Sequence, residues 1–214
     1  QTPRRTEVVP KRRRPRPRRA ERRTILIVTN GRETEKTYFD RLGRELSQQE
    51  ASPDTTFTTK FINGAPLTII RELDGPRSSI SDYDEVWIVV DHDGVDRCPF
   101  LDRSRRLDKK HKQTAVHGIV SVPCFEVWLN AHYEQVRLYR DQHEAQQHYR
   151  KLSGLSEKHC KEIPTDFPWG AVAEAVARCH LPTSEPPECD TQGESPSTTM
   201  PHLLRSLGFN IPLR

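Results

Sequence analysis

The chain has 214 residues, of which 33% are hydrophobic and 30% charged, a polar balance that leaves part of it outside any core. No apolar run approaches the roughly 18 residues needed to span a bilayer, and no apolar stretch follows the basic N-terminus as a secretory signal requires. With five cysteines and no CxxC pair, reduced thiols and a cytoplasmic location without membrane contact are expected.

The formal net charge of +4 conceals an asymmetry. Residues 1–23 carry eleven Lys or Arg against Glu7 and Glu21, and the rest of the chain has an excess of acids. Pro3, Pro10, Pro15 and Pro17 lie among these cations, so residues 1–22 are expected to form a disordered basic tail. Arg12, Arg13, Arg14, Arg16, Arg18 and Arg19 are its candidate nucleic-acid contacts, because such an arm gains affinity for phosphate by releasing counterions. A solvated leader with no partner, or a targeting segment, has the same composition.

Order is expected from Thr24. Ile25–Val28 reads as a buried strand, closed by Thr29-Asn30-Gly31, and a helix is expected over about 33–48 with Tyr38, Leu42 and Leu46 on one face. A strand over 57–62 and a short helix from Pro66 to about Leu73 follow. Val86–Val90 is the next buried strand and runs directly into Asp91-His92-Asp93-Gly94. A polar helix over about 100–112, a strand over 118–122 and a helix over about 124–133 complete an alternating pattern, which predicts an α/β fold with a mainly parallel sheet flanked by helices. Helices are expected over 141–152, 170–180 and 200–207, as a helical appendage within the same domain, and a loop over 182–197.

Asp91 and Asp93 are the sharpest chemical feature. Residues two apart on a strand point the same way, and ligands of open α/β sheets sit at the C-terminal strand ends. Two carboxylates held together repel, which favours protonation of one or a bound cation, and Mg²⁺ suits such a pair, with Mn²⁺ as a substitute. An exposed turn rich in Asp is the plainer alternative. Glu33 and Glu35 stand in a first helical turn, where negative charge is favourable in any case, or one of them completes a metal site. Glu126 lies among Phe125, Val127, Trp128 and Leu129, a costly place for a carboxylate unless it is paired or bound to metal. His132 is either a general base or a packed core histidine. A zinc site from His159, Cys160, Cys179 and His180 is conceivable, although neighbouring ligand pairs are not the usual spacing.

Ile25–Gly31 with Thr34-Glu35 and Tyr38-Phe39, Val86–Asp93, and Val122–Leu129 with His132 resemble, in that order, three motifs of the RloB-like family. Ser197-Thr198-Thr199 followed by Leu203-Leu204 is similar to its C-terminal pattern. The resemblance covers residues 24–133 well and 134–214 loosely, and implies a Toprim-like core over 23–133 and a C-terminal helical part over 134–214. It further implies Mg²⁺-dependent cutting or joining of phosphodiesters, a catalytic carboxylate after the first strand, a DxD pair after a later one, and antiviral defence. It also implies an ATPase partner protein. Where the family pattern has Glu, this chain has Asn30, which orients a phosphate or water but accepts no proton. Glu33, Glu35 or Glu126 then supplies the charge, or the site is catalytically dead.

Two functions follow as expectations. One is a metal-dependent nuclease in which Asp91, Asp93 and Glu126 hold metal, and Glu35, Asn30 and His132 complete the catalytic set. The other is a catalytically degenerate subunit that binds nucleic acid or a partner. The sequence leaves DNA against RNA, and monomer against homodimer, open. No GxxxxGK[ST] loop is present for ATP.

Overall fold

The computed structural model describes residues 22–48, 55–159 and 162–209. The basic arm with Arg12, Arg13, Arg14, Arg16, Arg18 and Arg19, and Cys160 of the conceivable zinc site, lie outside the described residues.

The elements run β1 (Arg23–Thr29), α1 (Thr34–Gln48), β2 (Thr55–Phe61), α2 (Pro66–Leu73), β3 (Glu85–Asp91), α3 (Cys98–Lys110), β4 (Ala115–Val122), α4 (Glu126–Tyr133), α5 (Gln142–Ser153), α6 (Val172–Arg178), β5 (Ser197–Thr198) and α7 (Met200–Ser206). The fold is the expected α/β class, a five-stranded sheet of order β2-β1-β3-β4-β5 in which only β5 is antiparallel. The apolar runs at β1 and β3 are central strands because helices cover both faces. At the edge, β2 alternates in burial along its whole length.

The sheet separates two cores. Ile25 and Ile27 of β1, Trp87 and Val89 of β3 and Ile119 of β4 pack against α1, α4, α5, α6 and α7. Leu26, Val28, Val86, Ile88, Val90 and Val120 pack against α2 and α3 on the other face. This distribution follows from handedness. The β1–α1–β2 crossover moves one way along the sheet and the next two crossovers move the other way, so right-handed connections place α1 opposite α2 and α3.

The 182–197 stretch, expected to be a loop throughout, ends in β5. Thr198 pairs with Ser121 and Ser197 with Val122. Nearby, Thr199 Oγ1 accepts the Val120 N–H at 3.2 Å, and Asp190 Oδ1 accepts the Gly118 N–H at 2.6 Å. The outer edge of β4 would otherwise present unpaired amides, and this segment satisfies them.

Candidate active site

The strand order fixes where a ligand belongs. In a 2-1-3-4 sheet the crossovers diverge between β1 and β3, and the crevice beyond their C-terminal ends is the natural binding place. There the structure has a cleft of about 400 Å³, lined by Asn30, Gly31, Arg32, Glu33, Thr34, Glu35, Asp91, Asp93, Glu126 and Gln146. Most of the residues singled out in the sequence therefore face one space, although they come from three separate segments.

Each is positioned by local structure. The β1 exit is fixed by Thr29, whose buried hydroxyl donates to the Gly31 carbonyl at 3.1 Å. Glu35, 6% exposed, folds back over Gly31, where a Cβ would lie 1.6 Å from its Oε2. Only a glycine leaves that space. One turn on, Tyr38 anchors α1 in an aromatic cluster, with ring centroids 5.3 Å from Phe39, 5.5 Å from Phe125 and 5.2 Å from Trp169. The β3 and β4 exits are joined side by side. His92 N–H donates to Ser121 O at 2.9 Å and Asp93 N–H to Pro123 O at 3.0 Å, which brings the DxD segment beside the start of α4 and Glu126. Asp93 and Gly94 both take positive φ, 50° and 72°, so the chain turns away at once. Arg97 closes the turn by donating from Nε to Asp91 O at 2.7 Å.

The electrostatics are those of crowded acids. Burial first, then the charges of Glu35, Glu126 and Asp93, push the Asp91 carboxyl well above the ordinary aspartate range, against the pull of the Phe125 N–H. Asp93, at the rim, is raised by partial burial and pulled back by Arg97 and His92. Asp91 Oδ1 and Asn30 Oδ1 are buried acceptors with no hydrogen-bond partner. A pocket rich in carboxylates, with two buried acceptors unpaired, suits a cation or a donor-bearing ligand. The oxygens fit a hard cation, and Asp91, Asp93 and Glu126 would hold it. No three of these carboxylates bring ligand atoms within 4.8 Å of one another. As they stand, at most two of them would touch one ion directly, and waters or substrate phosphate oxygens would complete the shell of a Mg²⁺ ion held there.

His132 lies elsewhere. It is 2% exposed, its Nδ1 lies 3.0 Å from Trp128 O, and its ring sits 4.7 Å from both Trp128 and Phe167. Burial pushes its pKa down to about 4, so it is a neutral core histidine outside the cleft lining. Sequence reasoning missed Arg32 and Gln146. Gln146 arrives on α5, and no motif marks it. A second groove of about 660 Å³ shares Arg32 and Glu33 with the cleft and adds Arg41, Lys158 and His159. Of the conceivable zinc ligands, Cys179 is buried with its thiol 3.3 Å from Val176 O, and the exposed His159 pairs with Glu162 at 2.7 Å.

Fold and cleft together define an open α/β protein with a carboxylate-lined ligand crevice at its topological switch point. The family model described as RloB-like protein matches residues 25–207, and the chain belongs to that family. No curated protein and no solved structure matches it. Among the described residues no helix is long and apolar enough to cross a membrane.

Proposed function

We propose that the protein is a Mg²⁺-dependent nuclease that cleaves nucleic-acid phosphodiesters at the β1/β3 cleft, in the service of antiviral defence. The observation that carries this reading is the convergence of Glu35, Asp91, Asp93 and Glu126 on one crevice, with Asp91 Oδ1 buried and without a hydrogen-bond partner. Carboxylates perturbed by burial and by one another in a cleft mark a candidate functional site.

A bound magnesium ion would polarise the scissile phosphate and offset charge on the leaving oxygen. The chain's own groups do the rest. Asp91 and Asp93 would hold the ion, and Glu126 faces the same cleft from α4. Glu35, pinned over Gly31, is placed to take a proton from an attacking water. Asn30 contributes a neutral amide where a carboxylate would add a further charge. Arg32 and Lys158, in the adjoining groove, supply positive charge for the flanking strand, and the basic arm retains it by counterion release.

The test is cleavage of labelled single-stranded DNA, duplex DNA and tRNA with Mg²⁺ or Mn²⁺. Asp91→Ala should lower the rate at least 100-fold, the scale lost when a charge-stabilising group is removed. Asn30 in place of a carboxylate favours a second reading, a catalytically degenerate subunit that binds nucleic acid. Salt-sensitive binding with no product in either metal would select it, and cleavage untouched by Asp91→Ala would remove the cleft from the chemistry.

A further inference from the structure

Toward the N-terminal end of β4, away from the strand ends that carry the acidic cleft, three donors meet that no motif foretold. His117 on β4 stacks on Trp87, with ring centroids 4.2 Å apart and planes 29° apart, so its ring is held in one orientation. Its Nδ1 lies 2.9 Å from Asp190 Oδ2 and 3.8 Å from Cys189 Sγ. All three ligand atoms fall within 4.8 Å of one another, the sole such trio of His, Cys, Asp or Glu among the described residues.

We propose that His117, Cys189 and Asp190 form a binding site for a zinc-class divalent cation, which clamps the 187–199 segment onto the edge of β4. The geometry decides between three readings. A nucleophilic triad needs the histidine to bridge thiol and carboxylate through different ring nitrogens. Here both approach the same Nδ1, so no relay exists. A plain ion pair accounts for Asp190 and His117 but leaves out the Cys189 thiol beside the same nitrogen. Cys189 and Asp190 lie in a turn, with Asp190 in the left-handed region at φ 58°, one of two non-glycine residues so placed among the described residues, and the turn directs both side chains to His117.

Ordinary zinc bond lengths in a tetrahedron set the donors about 3.4 Å (N to O) and about 3.6 Å (N to S) apart. The observed N–O distance of 2.9 Å is shorter and the N–S distance of 3.8 Å slightly longer than these values, so side-chain shifts of up to about half an ångström admit the ion. Thiolate, imidazole and carboxylate together select zinc over magnesium. The second Asp190 oxygen already receives the Gly118 N–H, the kind of outer hydrogen bond that orients a ligand. Side chains of His117 and Asp190 are 27% and 23% exposed, which leaves an approach from solvent and room for a water as fourth ligand. Binding displaces the Cys189 thiol proton and any proton on His117 Nδ1 to solvent. The clamp also reaches toward the cleft, since Gln192 Oε1 accepts the Arg97 N–H at 2.8 Å.

The test uses the full, reduced chain carrying Asp91→Asn in excess Mg²⁺, so the acidic cleft does not compete. Zinc is counted by equilibrium dialysis, and Co²⁺ is titrated for the charge-transfer absorption that only a metal-bound thiolate produces. One ion per chain with that band is expected. Cys189→Ser should abolish the band and weaken binding at least tenfold, while Cys98→Ser, at the exposed cysteine, leaves both unchanged. A protein that takes up no zinc, or whose band survives Cys189→Ser, overturns the proposal and leaves an ion pair. Should Cys189→Ser fail to fold, the Co²⁺ titration of His117→Gln decides in its place. Cleavage by a chain without this site would leave the nuclease reading intact, and the converse also holds.

Discussion

Gly31 and Asp91 illustrate how single residues commit this protein to its cleft. A methyl group at position 31 would sit 1.6 Å from Glu35 Oε2, and the far end of a carboxylate yields more easily than backbone. Gly31→Ala should therefore expel Glu35 from its place and lower metal-dependent cleavage at least tenfold, while stability changes by no more than about 1 kcal/mol. Turnover and thermal unfolding measured on the same sample check this, and an unchanged rate would strike Glu35 from the machinery. Asp91 is costly in a different way. Its folded pKa is raised above the unfolded value by burial and by Glu35, Glu126 and Asp93. The protonated form therefore stabilises the fold fully below about pH 3.9, and that contribution is lost as pH rises through the folded pKa. With divalent metal chelated, Asp91→Asn should stabilise the protein by about 1 kcal/mol at pH 7, the common size of a gain from relieving a functional site. The gain should shrink toward pH 4 in urea titrations. Equal stability at pH 7 would show that this carboxylate carries no strain.

At the scale of elements, the edge of β4 depends on short segments with high stakes. Thr199 Oγ1 accepts the buried Val120 N–H, and replacing it by an isostere without an acceptor strands that donor. Thr199→Val is expected to cost about 1–3 kcal/mol, read as a lower urea midpoint with an unchanged slope. This edge was also where the sequence was least legible. β1 and β3 announced themselves as apolar runs, and every long helix appeared within about two residues of its place, because periodicity over a dozen residues averages out local exceptions. β5 is two residues inside a stretch dominated by Pro, Ser and Thr, and its strand character comes from pairing with β4. The cleft was legible in part. Asp91, Asp93, Glu126, Glu35 and Asn30 each stand at a strand end or a first helical turn, places the pattern reveals. Gln146 and Arg32 gave no signal, and His132 was ambiguous because a buried neutral histidine and a working one look alike in sequence. The trio of His117, Cys189 and Asp190 was invisible, since more than 70 residues separate β4 from its partners.

Seen whole, the molecule is organised around two strands that serve both faces. β1 sends Ile25 and Ile27 into one core and Leu26 and Val28 into the other, and β3 divides Trp87 and Val89 from Val86 and Ile88 in the same manner. Neither face can loosen its helices without exposing strands the other relies on, so unfolding of the described residues is expected as one cooperative step. The aromatic distribution bears on how that step is observed. Trp87, Trp128 and Trp169 all belong to the core beneath α1 and α4, and the core beneath α2 and α3 has none. Intrinsic fluorescence is thus a one-sided witness, blind to any early departure of α2 and α3, whereas far-ultraviolet dichroism weighs both layers. Coincident curves from the two probes would mean that the illuminated half speaks for the dark one. A dichroism loss that precedes the fluorescence change would reveal the dark half as a separate unit, and melting temperatures read from tryptophan alone would then overstate the protein's resilience.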